Sequence, residues 1–79
     1  MNPELKRLSA EFLAERHALA AFILGLVRDP HAAEDIFQEV WVRLAEAAER
    51  GEGAAIRDCA RWCRGVARNL ILRHWRSQS

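Results

Sequence analysis

Over residues 3–28 the apolar positions Leu5, Leu8, Phe12, Leu19, Phe22, Ile23 and Leu26 return at a period near 3.6. That spacing predicts a helix with one face turned to a core. Glu15 and Arg16 interrupt the stripe, which marks either a bend or a helix running past its neighbours. At Asp29-Pro30 the pattern restarts, because Asp is a favoured N-cap and Pro is tolerated at the first helical position. A second helix over about residues 30–49 places Ala33, Ile36, Phe37, Val40, Leu44 and Ala47 inward, and Asp35, Gln38, Glu39, Val42, Glu46 and Glu49 on the opposite arc. The stretch RGEG then breaks the helix, since paired glycines allow backbone angles that end helices, and the longest loop falls on residues 50–54. A third helix over about residues 55–76 turns Ile56, Cys59, Ala60, Cys63, Val66, Ala67, Leu70 and His74 inward. With no Tyr and no alternating run of β-branched residues, strands are not expected. The expected fold is all-α, a compact bundle of three or four helices forming one domain over residues 1–79.

Length and charge refine this picture. Seventy-nine residues, 51% hydrophobic, suffice for one small core. No apolar run approaches the roughly 18 residues of a membrane span, and the charged start MNPELKRLSAEF is unlike a signal peptide, so a cytoplasmic protein without membrane attachment is expected. Cys59 and Cys63, four apart in a helical pattern, read as free buried thiols rather than a staple between distant segments. The net charge of +1 conceals an asymmetry: residues 1–53 carry six Lys/Arg against ten acids, a net of −4, while residues 54–79 carry six Arg against Asp58 alone, a net of +5. A split of this kind points to two different partners, one of them anionic.

Placed at 100° per residue, the outer surface of the third helix divides into two strips. One holds Arg57, Arg61, Arg64 and Arg68; the other holds Asp58, Trp62, Asn69, Arg73 and Arg76. Arginine forks match phosphate oxygens, Asn can bond a base edge in pairs, and indole rings stack on exposed bases. A solvated Arg-rich face is the plain alternative, and Trp62, at the edge of the core stripe, is open to a packing or a stacking role. A metal site drawn from Cys59, Cys63 and His74 lacks the usual spacing, with only His17 and His31 to complete it, so neither metal nor other cofactor is expected. A Cys/His nucleophile pair would lie on the core side with no oxyanion donors, and no phosphate loop or HExxH motif is present, so an enzyme is not expected.

Residues 29–46, DPHAAEDIFQEVWVRLAE, and residues 61–75, RWCRGVARNLILRHW, together resemble region 2 of the extracytoplasmic-function sigma factors, small members of the sigma-seventy family. The matching positions are Asp29, Ala33, Glu34, Asp35, Ile36, Gln38 and Glu39, then Trp62, Val66, Ala67, Arg68 and Asn69. The first helix, with Phe12, His17, Leu19 and Phe22, also fits.

The resemblance implies a transcription initiation domain with two partners. The second helix would dock on the β′ clamp helices of core RNA polymerase through Asp35, Gln38, Glu39, Val42 and Arg43. The third would hold the non-template strand of the minus-ten promoter element as it melts. Asn69 and Arg73 would read or hold bases, Arg61, Arg64, Arg68 and Arg76 would hold phosphates, Trp62 would join the DNA surface, and the loop Arg50, Gly51, Glu52 and Gly53 would form a base pocket. An anti-sigma protein would be a further partner. The sequence departs from the family pattern in the loop and at Cys63, where Leu is usual, and the 79 residues hold no second domain of the type that reads the minus-thirty-five element. The competing reading is a helical protein-interaction module without DNA binding.

Overall fold

The computed structural model describes residues 2–78. It comprises three α-helices, α1 (Pro3–Val27), α2 (Pro30–Glu49) and α3 (Cys59–Ser77), with one 3₁₀ turn at Gly53–Ala55; among the described residues there is no strand. The expected all-α bundle is the three-helix version.

Each start and stop has a local cause. Asn2 caps α1: its Oδ1 accepts from the backbone N–H of Glu4 (2.9 Å) and Leu5 (3.3 Å). Its Nδ2 also donates to the carbonyl of Ala48 (2.9 Å), so one side chain closes the start of α1 and the end of α2. Asn2→Ala is expected to cost about 1–2 kcal/mol, read as a fall in Tm, because the cap and the cross-helix bond are lost together. Asn2→Asp, which keeps the acceptor but loses the donor, should fall between. Asp29 caps α2 as expected, accepting from His31 N (3.0 Å), with Pro30 at the first helical position. Between them Arg28 takes a left-handed conformation (φ 64°) and its N–H returns to Leu24 O (2.8 Å), ending α1.

The inward stripes meet in one core. Leu8, Ile23, Val40, Leu44 and Ala67 are fully buried, joined by Phe12, Leu19, Ala33, Ile36, Ala47, Ile56, Cys59, Cys63 and Leu70. Leu5, Phe22, Phe37, Trp41, Trp62 and Val66 pack partly against it. The Phe12 ring lies 5.3 Å from Phe37 and 5.2 Å from Trp41, both tilted, a geometry favoured by aromatic quadrupoles. Glu15 and Arg16 are exposed but do not break α1. Leu26, in its last turn, is exposed rather than core. Ala48 and Ile71, absent from the expected stripes, are buried.

The start of the third helix differs from the expected residue 55. Ile56 is extended (φ −86°, ψ 92°) and Asp58 is the true N-cap, its Oδ1 accepting from Arg61 N at 3.0 Å. The link from α2 to α3 is held down by Arg7. Its guanidinium donates to the carbonyls of Gly53 (3.0 Å) and Ile56 (3.1 Å) and pairs with Glu4 (2.8 Å) and Glu11 (3.0 Å). Those bonds to Glu4 and then Glu11 raise the Arg7 pKa further.

Candidate nucleic-acid interface

From Cys59 onward the described chain holds no acidic residue, so every charged side chain of α3 is cationic or histidine. Arg61, Arg64, Arg68, Asn69, Arg73 and Arg76 are all exposed, and Trp62 and Val66 are half-buried at the edge of the core. With Asp58 capping the helix, residues 55–58, from the end of the 3₁₀ turn through the extended Ile56 to the cap, form a wall beside its first turns. Between that wall and Arg61, Trp62, Val66, Arg68 and Asn69 lies an open cleft of about 610 Å³. Its charged lining is Arg57, Arg61 and Arg68 against the single carboxylate of Asp58, one oxygen of which is engaged by the Arg61 N–H. The cleft thus presents guanidinium forks for phosphate, the Asn69 amide for a base edge, and the Trp62 ring as a flat apolar wall. Trp62 packs partly on the core and also borders the cleft.

The loop residues expected to form a base pocket fall elsewhere. Gly53 is buried against α1, and a Cβ there would lie 2.8 Å from Glu4 Cβ and 3.3 Å from Leu8 Cδ1. Gly51 provides the positive φ (82°) of the turn after α2. Arg50 and Glu52 are exposed and paired through two bonds of 3.2 Å, which raises the Arg50 pKa and lowers that of Glu52. Arg50 faces a second groove of about 290 Å³ between α2 and α3, shared with Glu39, Arg43, Glu46, Trp62 and Val66. The cleft wall is therefore supplied by residues 55–58, of which Ala55 and Ile56 carried no signal as site residues and Arg57 was expected only as part of an arginine strip on the third helix, which it precedes. The available clue was Asp58 three residues before Arg61, a helix cap that starts α3 later and frees the preceding segment.

The arc of α2 is as the periodicity predicts. Asp35, Gln38, Glu39 and Val42 are exposed, while Arg43 is half-buried with its Nε 3.1 Å from Glu39 Oε2. Gln38 also borders an apolar groove of about 410 Å³ formed with Ser9, Phe12, Leu13, Phe37 and Trp41. Trp62 joins the two surfaces, since it lines both the cleft and the groove that contains Glu39 and Arg43.

Cys59 and Cys63 are free and buried, with Sγ atoms 3.9 Å apart. Burial pushes both thiols up, Cys63 to about 12. Neither is a nucleophile at neutral pH, because the thiolate is the reactive form. His17 and His31 are exposed and His74 is half-buried. Among the described residues no three His, Cys, Asp or Glu side chains gather in a way that could hold a metal ion. No helix among them is long and apolar enough to cross a membrane.

Searches of curated proteins and of solved structures find no match. A family model, sigma-70 region 2, matches residues 12–79, most of α1 and all of the two helices that carry the cleft and the polar arc. The chain belongs to the sigma-70 family as a region 2 domain, a transcription-factor domain rather than an enzyme, of the kind that engages RNA polymerase and the minus-ten promoter element.

Proposed function

We propose that residues 1–79 act as the region 2 unit of an extracytoplasmic-function sigma factor, working in the cytoplasm beside core RNA polymerase. In this reading Asp35, Gln38, Glu39, Val42 and Arg43 on α2 dock on the β′ clamp helices, a polar patch around a small apolar centre as interfaces commonly are. The cleft at the start of α3 receives a base of the melted non-template strand. Asn69 and Arg73 contact bases, Trp62 and residues 55–58 enclose the flipped base, and Arg57, Arg61, Arg64, Arg68 and Arg76 hold phosphates. Flipping costs a few kcal/mol of unstacking, which stacking and hydrogen bonds in the cleft offset. An anti-sigma protein that covered either surface would silence the domain.

The observation that carries this reading is the arginine-walled cleft lying next to a polar arc on a neighbouring helix, the two meeting at Trp62. Two measurements test it. Capture of a β′ clamp fragment should fall at least about tenfold for Asp35→Arg, a loss of roughly 1.4 kcal/mol or more, with Tm unchanged. With the clamp fragment present, Asn69→Ala and Arg73→Ala should each weaken binding of a minus-ten non-template oligonucleotide by about 10- to 100-fold and reduce its sequence preference. Binding should fall steeply with salt as phosphate contacts release counterions. Unchanged affinity and preference in both variants would overturn the base-contact roles, and clamp capture without any strand binding would favour a protein-interaction module.

A further inference from the structure

Trp75 belongs to neither surface described so far, yet it is 44% exposed. Its neighbour Leu72 is 37% exposed, and the two are the exposed large apolar side chains of α3. They do not stand alone. Arg61, Arg64, Arg68, Leu72 and Trp75 follow one another at intervals of three, four, four and three, the spacing that keeps residues on one stripe of a helix. All five are exposed, and the stripe lies opposite the buried Cys59, Cys63, Ala67 and Leu70. It starts as three guanidinium groups and ends as an apolar pair.

A partner that follows this stripe must be anionic along its length and offer a flat apolar group at one end. A nucleic-acid strand has both features on every residue, a phosphate and a base. No acid lies on the described helix from Cys59 onward, so the helix itself does not repel such a strand, although Glu15 of α1 borders the same hollow as Arg64. The distances also suit a strand leaving the cleft. With a rise of 1.5 Å per residue, Trp75 lies about 10 Å along the axis beyond Arg68 and about 20 Å beyond Trp62, a few nucleotides of extended strand.

We infer that Trp75, seated beside Leu72, is a second base-stacking site, which takes a nucleobase of the same single strand a few nucleotides from the one held in the cleft. This rests on the proposed function and extends it to a site of its own. Arg68 bridges the two sites by holding an intervening phosphate.

The test uses the domain with the clamp fragment bound and two single-stranded oligonucleotides, one long enough for the cleft alone and one extended by several nucleotides at both ends. Stacking on an aromatic side chain corresponds to a change of about 5- to 150-fold in affinity. The wild type should therefore bind the longer strand about tenfold more tightly. Trp75→Ala should lose that gain while binding the short strand as before, and Trp75→Phe should keep most of it. The salt slope should be unchanged in Trp75→Ala but shallower by about 0.7 in Arg68→Ala, which removes a phosphate contact. Tm should change little for either, since both side chains are exposed.

Equal binding of the longer strand by wild type and Trp75→Ala would overturn the inference. So would Trp75→Leu performing as well as Trp75→Phe, which would indicate apolar packing without stacking, or a loss of clamp capture in Trp75→Ala, which would assign the apolar end to the polymerase. If Asn69→Ala weakens binding while Trp75→Ala does not, the cleft stands and the second site falls. If neither has an effect, both fall.

Discussion

Gly53→Val is expected to destabilise the domain by about 3 kcal/mol, at the upper end of what overpacking costs. The reason is spatial. Gly53 has a φ that other residues can adopt, but a Cβ at this position would stand 2.8 Å from the Cβ of Glu4, which is fixed to the backbone of α1 and cannot turn aside. Either the link between α2 and α3 lifts off α1 or α1 shifts, and both movements disturb the hydrogen bonds from Arg7 to the carbonyls of Gly53 and Ile56. For a domain of this size such a loss corresponds to a fall in Tm of roughly 12–24 °C. Gly51→Ala makes the contrast, because its surroundings are open and its penalty comes only from the positive φ, about 1 kcal/mol. Thermal melts of the pair would separate the two causes; equal losses would show that the close approach to Glu4 is unimportant. Because residues 55–58 wall the cleft, Gly53→Val should also weaken strand binding below its melting range, whereas Gly51→Ala should not.

The second large effect is alkaline. The Cys63 thiol, pushed up to about 12 chiefly by burial, stays protonated in the folded domain over a range where an unfolded chain, with thiols near 8.5, has lost the proton. The folded state then binds more protons than the unfolded one, so stability falls as pH rises: the contribution is whole below about 8.5 and declines toward 12. One such group changes stability by about 1.4 kcal/mol per pH unit over that range, which by pH 12 is a large fraction of what holds a small domain folded. Cys59 is shifted in the same direction, also by burial, and adds to the slope. Chemical denaturation at a series of pH values should give a plateau through neutrality and a decline above pH 9. Cys63→Ala should lose about 1 kcal/mol at neutral pH for the volume removed but show a flatter alkaline limb. A decline as steep in Cys63→Ala as in the wild type would rule out this thiol as its cause. Both cysteines should also resist a thiol reagent at neutral pH until the domain unfolds.

Much of the fold was legible because its causes are local. Asp29-Pro30 names a helix start by its own chemistry, and the structure shows the expected carboxylate accepting from His31 N. Most of the stripes of α2 and α3, from Ala33 to Ala47 and from Cys59 to Leu70, follow from the sequence because each helix buries one side, so burial follows the 3.6-residue period. The errors fall where two elements meet. Ile71 lies at the margin of its own stripe but is buried in the assembled bundle, and Leu26 lies on the stripe of α1 yet is exposed. Gly51 and Gly53 are the same letter two residues apart, one present for a backbone angle and the other for space, and only the position of α1 against the link distinguishes them.

The candidate site divides in the same way. The excess of arginine on the last helix, the acidic arc on the one before it and the motif positions from Trp62 to Asn69 are properties of the chain alone, and they bring the family within reach because spacing along a helix sets which side chains share a face. The cleft is not such a property. It exists because Asp58 delays the start of α3, Arg7 holds the preceding segment against α1, and residues 55–58 are thereby left standing beside Arg61, Trp62 and Asn69. Periodicity determined what each helix shows to solvent; the packing of one element against another, which no local pattern encodes, decided where those faces enclose space.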